Sequence, residues 1–266
     1  MDITGTTVVV TGGAHGIGAA IVAAVARAGA GGVLVGDLDE VGAQRVADAV
    51  TAETGVATLA HRVDVADPDQ VAAMIAVAER ELGPVEVVVS NAGIGTGAGI
   101  DASLDAWQRS YEVNVLAHVH AARAALPGML ERGRGAFVHT ASAAGLLTMI
   151  GDAPYAVTKH GAVAFAEWLS ITYGSRGIQV GCLCPQGVET DLLRNGAGSV
   201  AEQVVRMTGA VLTPEQVADD VVAALDDGRF LILPHPEVAE HLRRKAEDPE
   251  RWIGALRRVA DQLDGA

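Results

Sequence analysis

The chain reads as a single doubly wound α/β domain, with a parallel sheet of about seven strands covered by helices on both faces. Three observations carry that expectation. Short β-branched runs alternate with longer alanine-rich segments of helical period, no repeat or linker interrupts the alternation, and 266 residues, half of them hydrophobic, suffice for one sizeable core. Strands buried on both faces need near-continuous apolar runs, and these strands have them.

Taken in order, TTVVV at 6–10 precedes a helical pattern from Ala19 to Ala28, and VLVG at 33–36 precedes one from Val41 to Thr54. LAHRVDV at 59–65 leads into Asp69 to Leu82, and VEVVVS at 85–90 follows. AFVHT at 136–140, a helix around Tyr155 to Tyr173 and IQVGCLC at 178–184 continue the series. At Thr213-Pro214-Glu215 a capping threonine precedes proline at the first helical position, and RFLILP at 229–234 offers a last strand. Residues 1–236 are therefore expected to form one domain. Residues 237–266 carry dense charge, with Leu242, Trp252, Ile253, Leu256 and Val259 at roughly helical spacing, and are expected to be an amphipathic helical extension packed on that domain or on a partner subunit. Gly196 to Ala210 falls outside the pattern and reads either as a lid over the strand C-termini or as a surface loop.

Composition narrows the partners. With 33 acidic against 19 basic residues the formal charge is −14, which repels phosphate backbones and anionic membranes; no nucleic-acid or membrane partner is expected. The apolar stretch from Ala19 to Ala30 is interrupted by Arg27 and is shorter than the roughly 18 residues a membrane span needs. Met1 leads into the first strand without a secretory pattern, and the two cysteines, Cys182 and Cys184, alternate onto one face of a strand as buried thiols, so a reducing, cytoplasmic setting is expected. The histidines lie in separate segments without zinc-binding spacing, and no metal is expected.

Directly after the first strand comes Thr11-Gly12-Gly13-Ala14-His15-Gly16-Ile17-Gly18, followed at once by a helical pattern, and Asp37 closes the next strand 19 positions beyond Gly18. Glycine is needed where the turn is tight and the backbone must approach a pyrophosphate, whose charge the helix N-terminus meets. Gly12, Ala14, His15, Gly16, Ile17 and Gly18 thus become cofactor candidates, with Asp37 and Leu38. A carboxylate at Asp37 accepts from ribose hydroxyls and repels a 2′-phosphate, which favours NAD over NADP; Asp39 is the less favoured ribose ligand.

Ser142, Tyr155 and Lys159 supply the chemistry. Tyr155 and Lys159 are four apart on a helix and share a face. A neighbouring ammonium and a bound nicotinamide cation both favour the phenolate, so that Tyr155 can exchange a proton with a substrate oxygen while hydride moves. Ser142 would hydrogen-bond the same oxygen. Singly, these three also read as a turn residue, a packing residue and a solvated charge.

With these motifs in hand, residues 5 to 235 resemble the short-chain dehydrogenase/reductase family. The matching elements are TGGAHGIG at 11–18, Asp37, Asp64-Val65, Asn91-Ala92-Gly93, Asn114, Ser142, YAVTK at 155–159 and CPQGVET at 184–190. The resemblance implies a Rossmann-like fold, catalytic Asn114, Ser142, Tyr155 and Lys159, and a proton relay past Asn114, Lys159 and the cofactor ribose. It also implies Asp64 and Val65 beside adenine, Asn91, Ala92 and Gly93 along the adenosine, and Pro185, Val188 and Thr190 at the nicotinamide. Asn91 and Gly93 can alternatively terminate a strand, and Thr190 can cap a helix. Family members usually carry Pro-Gly where this chain has Pro185-Gln186, and many lack the charged extension. A homodimer or homotetramer is implied.

Substrate candidates are Ile94, Ala144, Leu146, Met149, Ile150, Gln186, Leu192 and Leu193. Mostly apolar, they point to a neutral hydrophobic secondary alcohol and its ketone, although Arg194 and Arg206 offer charge for a carboxylate. Competing readings are another reaction on the same fold, such as enoyl reduction, dehydration or epimerisation, and a non-catalytic NAD-sensing scaffold.

Overall fold

Val8 and Val10 point to one face of the first strand and Val9 to the other, and all three are fully buried, so this strand has a core on each side. The computed structural model describes residues 1–195, 200, 203, 204 and 209–264. In chain order it builds β1 (Thr7–Thr11), α1 (Gly16–Arg27), β2 (Gly32–Asp37), α2 (Glu40–Thr54), β3 (Ala57–Arg62), α3 (Pro68–Leu82) and β4 (Val85–Ser90). There follow α4 (Leu104–Tyr111), a π-helical turn (Glu112–Leu116), α5 (Ala117–Arg132), β5 (Gly135–Thr140), α6 (Ala144–Leu147) and α7 (Ala153–Tyr173). The chain ends through β6 (Ile178–Leu183), α8 (Asp191–Asn195), α9 (Pro214–Asp227), β7 (Leu231–Ile232), α10 (Glu237–Glu247) and α11 (Pro249–Asp264).

The seven strands are all parallel, in the order β3-β2-β1-β4-β5-β6-β7. One apolar layer lies between the sheet and α1, α2 and α9; the other joins the sheet to α3, α5 and α7. Because the order reverses between β1 and β4, the loops leaving their C-terminal ends diverge and leave a crevice there, the usual ligand position of such sheets.

Several boundaries differ from the sequence reading. The third strand stops at Arg62 instead of Val65: β2 ends at Asp37, whose carbonyl accepts the last ladder bond from Val63 N–H at 2.9 Å. α1 begins at Gly16, three residues before the apolar pattern, and RFLILP contributes only Leu231–Ile232 to the sheet. The Thr213 signal holds in full: its hydroxyl accepts from Gln216 N–H while the Gln216 side chain accepts from Thr213 N–H, a reciprocal cap on α9. The described part of the extension, 237–264, forms two helices joined at Asp248. Most of the suggested lid, including Arg206, lies outside the described residues. Among the described residues, no helix is long and apolar enough to cross a membrane. Cys182 and Cys184 are buried on β6 with their Sγ atoms 3.7 Å apart.

Candidate active site

The crevice is a cavity of about 810 Å³ running from the glycine loop, past Asp37 and Asn91, to Ser142, Tyr155 and Lys159. Its floor is the junction of the β1 and β4 loops. Asn91 fastens them: its amide nitrogen donates to the carbonyls of Thr11 and Gly12, both at 3.2 Å, and its backbone N–H donates to Thr11 Oγ1 at 3.0 Å. Gly12 has a left-handed φ of 64° and packs so tightly that a Cβ there would sit 2.8 Å from Ala92 Cα. Thus Asn91 both ends its strand and lines the cavity.

Asp37 is oriented from the protein side. One carboxylate oxygen accepts from Ala14 N–H and the other from Asp39 N–H, each at 3.0 Å, while the residue also faces the cavity. Asp39 is otherwise engaged: it caps α2 by accepting from Gly42 N–H and lies 3.4 Å from His15 Nε2. Asp64 also lines the cavity, paired with Arg109 at 3.0 and 3.1 Å, a partner that the sequence reading did not name.

At the other end, an aspartate cap sets the start of α7. Asp152, only 4% exposed, accepts from Tyr155 N–H at 3.0 Å, from Thr96 N–H and Gly97 N–H at 2.7 Å, and from the Thr96 hydroxyl at 2.8 Å. One buried carboxylate thus ties the β4 loop to the first turn of α7. From that helix, Tyr155 and Lys159 project to the cavity together, with Lys159 Nζ 5.6 Å from the phenol ring centre. Lys159 is 2% exposed and donates to the Thr140 carbonyl at 2.9 Å; burial lowers its pKa to about 8. Behind it the buried rings of His118 and His139 stack at 5.0 Å. Burial holds His139 at about 3 and His118 well below its ordinary value, so neither adds positive charge near neutrality.

Ser142 lines the cavity beside Tyr155; its hydroxyl donates to the Pro185 carbonyl at 3.4 Å and accepts from Ala144 N–H at 3.1 Å. The phenol's pKa is raised, chiefly by burial, with the Ser142 side chain opposing the shift. This is opposite to the direction expected from a neighbouring ammonium: burial disfavours the phenolate, and the Asp152 carboxylate adds to the shift.

Of the other sequence candidates, Gly12, His15, Gly16, Ile17, Leu38, Val65, Ala92, Gly93, Pro185, Val188 and Thr190 line the cavity. Ala14, Gly18 and Asn114 do not, and each instead contacts residues that do. Asn114 is fully buried in the π-helical turn, where its amide accepts from Ile94 N–H and donates to the Ile94 carbonyl, both at 2.9 Å, and donates to Thr158 Oγ1 at 3.0 Å. The wider turn presents this side chain to the β4 loop. Gly93 fills the space between; a Cβ there would lie 3.1 Å from Lys159 Nζ and 3.3 Å from Asn114 Oδ1. Among substrate candidates, Ile94, Ala144, Met149, Ile150, Gln186, Leu192 and Leu193 line the cavity. Leu146 does not: it is partly buried, packed against the core beneath α7 and against the Ala143, Leu147 and Val238 cluster, while Leu147, a member of that cluster, also reaches the cavity wall. Arg194 pairs with Asp191 at 2.9 Å and with Glu189 at 3.3 Å and is not part of the cavity wall.

Sequence reasoning missed Asp152, Arg109 and Thr148, as well as His241, Trp252 and Leu256 from the extension, all in the cavity wall. Thr148 has φ of 77°, a conformation in which a β-branched residue is strained. An aspartate two residues before Pro154 is a helix-start signal that identifies Asp152. Among the described residues no group of three or more His, Cys, Asp or Glu is placed to hold a metal.

A dinucleotide-sized crevice at the sheet's switch point, with a tyrosine, lysine and serine at one end, defines a nucleotide-dependent oxidoreductase architecture. The family model described as short chain dehydrogenase matches residues 6–198. The chain belongs to this family and is an oxidoreductase acting on CH–OH groups with a nicotinamide cofactor. It is 35% identical over 254 residues to the 1-deoxy-11-beta-hydroxypentalenate dehydrogenase of Streptomyces exfoliatus, covering 92% of this chain and 88% of that one. It is 33% identical to the cis-4-hydroxycyclohexanecarboxylate dehydrogenase of Sinomonas cyclohexanicum, with 85% and 91% covered. Among solved structures, a short chain dehydrogenase/reductase from Burkholderia phymatum in complex with NAD superposes with a TM-score of 0.86 at 28% identity, covering 94% of this chain and 96% of that one.

Proposed function

We propose that this protein interconverts a neutral hydrophobic secondary alcohol and its ketone with NAD, Tyr155 serving as general acid/base. The observation that carries the reading is the placement of Ser142, Tyr155 and Lys159 at one end of the same cavity that holds Asp37. NAD would supply the hydride acceptor, lying along Gly12, Gly16, Ile17, Asp37, Asp64, Asn91 and Gly93, with Pro185, Val188 and Thr190 at the nicotinamide. Ser142 would hold the substrate oxygen, and Tyr155 would exchange its proton. Lys159, with its charge confined to a buried site, would favour the phenolate and bind the ribose. Asn114 would fix the Ile94 backbone beside the reacting group.

Bound near Tyr155, an oxidised nicotinamide would supply positive charge against the burial that raises the phenol, favouring the phenolate during alcohol oxidation. Asp37 supports NAD, because its two oxygens are already held facing the cavity by Ala14 and Asp39. Exposed Tyr111, Val157, Trp168 and Ile171 on α4 and α7 support a homodimer or homotetramer, and the unpaired buried cysteines support a cytoplasmic setting.

The test is a comparison of initial rates for a panel of secondary alcohols with NAD and with NADP. At least one alcohol should reduce NAD, with kcat/KM lower by about tenfold or more when NADP replaces it, the cost of a 2′-phosphate against Asp37. Equal or better rates with NADP would overturn the ribose assignment. Tight NAD binding without turnover of any alcohol or ketone would favour the scaffold reading.

A further inference from the structure

The family match ends at residue 198, yet His241 on α10 and Trp252 and Leu256 on α11 lie in the cavity wall. These helices are anchored on the segments that carry and flank Ser142. Val238 is fully buried against Ala143 and Leu147, with Leu146, Leu242 and Trp252 packed around it. Lys245 donates to the Leu146 carbonyl at 2.6 Å. Just before α10, the buried His235 ring accepts from Gln186 N–H at 3.1 Å, which leaves its other nitrogen to donate to the Gly187 and Ala210 carbonyls, each at 3.1 Å. The His241 ring lies against the Trp252 indole, their centres 5.8 Å apart. The extension is therefore seated on both segments beside the expected nicotinamide position, and its apolar side chains face the cavity from beyond Tyr155.

We infer that the C-terminal helical pair is the specificity element of this site, with Trp252 and Leu256 as its far wall, selecting a secondary alcohol or ketone whose bulky apolar body extends from the reacting carbon toward the indole. The inference rests on the proposed alcohol and ketone chemistry and names the shape that this chemistry takes here. Met149, Ile150 and Leu192 also line the cavity, so a substrate body reaching Trp252 would be held by apolar surface along its length. In an apolar pocket each added methylene that finds a contact is worth roughly 10- to 200-fold in discrimination. A small alcohol would leave that wall unused.

The test uses cyclohexanone and the derivative carrying a tert-butyl group para to the carbonyl. Dissociation constants are measured on the non-reacting enzyme–NAD complex by isothermal titration calorimetry, for wild type, Trp252→Ala and Leu256→Ala, with thermal unfolding to verify folding. Wild type should bind the substituted ketone at least about tenfold more tightly than cyclohexanone, and each variant should cut that ratio by about fivefold or more. A residue that served only to pack the extension would weaken both ketones alike and leave the ratio intact. If Trp252→Ala does not fold, Leu256→Ala alone carries the comparison. A wild type without the preference, one that binds neither ketone, or an unchanged ratio in a folded variant overturns the inference. Turnover is read separately: an intact ratio without reduction of either ketone counts against the proposed chemistry and leaves the specificity role standing.

Discussion

Replacing Tyr155 by Phe should lower kcat for alcohol oxidation by about a hundredfold or more, the range expected for loss of a general acid/base. Phenylalanine keeps the ring that packs 5.6 Å from Lys159 Nζ and removes only the hydroxyl. The dissociation constant for NAD should therefore stay within about threefold, since the glycine loop and Asp37 are untouched. Such a split, with kcat lost and cofactor binding retained, assigns Tyr155 to the chemical step. If the variant kept kcat within about threefold, the proton would have to travel by another group.

Gly18→Ala should cost both folding stability and cofactor affinity. A Cβ at Gly18 would stand 2.0 Å from the Gly12 carbonyl oxygen and 2.6 Å from Asn91 Nδ2, and the first of these is backbone that cannot rotate away. The insertion would push α1 off the β1 turn and strain the Asn91 bonds that join the β1 and β4 loops. Overpacking of this kind typically costs about 1–3 kcal/mol, and the upper end is expected here because the nearest atom is main chain. Gly55→Ala is the control: its φ is 74° but a Cβ there meets nothing within 4 Å, so it carries only the strain of a left-handed residue, about 1–2 kcal/mol, with no effect on NAD binding. Thermal or urea unfolding with an NAD titration separates the two. Equal stability loss with unchanged NAD affinity in both variants would contradict the close-approach account.

The strands were legible because burial on both faces forces an unmistakable composition: the β1 run of valines has no polar partner face to confuse it. The glycine loop and the Tyr155, Lys159 pair were legible for a related reason, since close approach and helical spacing each restrict residue type strongly. Leu104 to Arg132 was not assigned, and the structure explains why. Pro127 lies inside α5, and the π-helical turn at Glu112–Leu116 shifts the phase of the apolar face between α4 and α5. No single period fits the two together. A similar phase problem left Leu146 outside the cavity wall, because α6 is a single turn and its sequence does not fix which of Leu146 and Leu147 reaches the cavity. Trp252 was recognisable as one side of an amphipathic helix, yet its place in the cavity depends on Val238 and Lys245 docking onto α6. That is a tertiary contact with no local signal.

The measurement that bears most directly on the central claim is hydride transfer itself. A secondary alcohol deuterated at the carbinol carbon, taken from those that turn over, is incubated with the enzyme and NAD, and the reduced cofactor is analysed by mass spectrometry. The account predicts NADH carrying one deuterium per ketone formed, in wild type and, far more slowly, in Tyr155→Phe. Ketone formation with no deuterium in the cofactor, or reduced cofactor with no deuterium, would contradict direct transfer from substrate carbon to nicotinamide in this site.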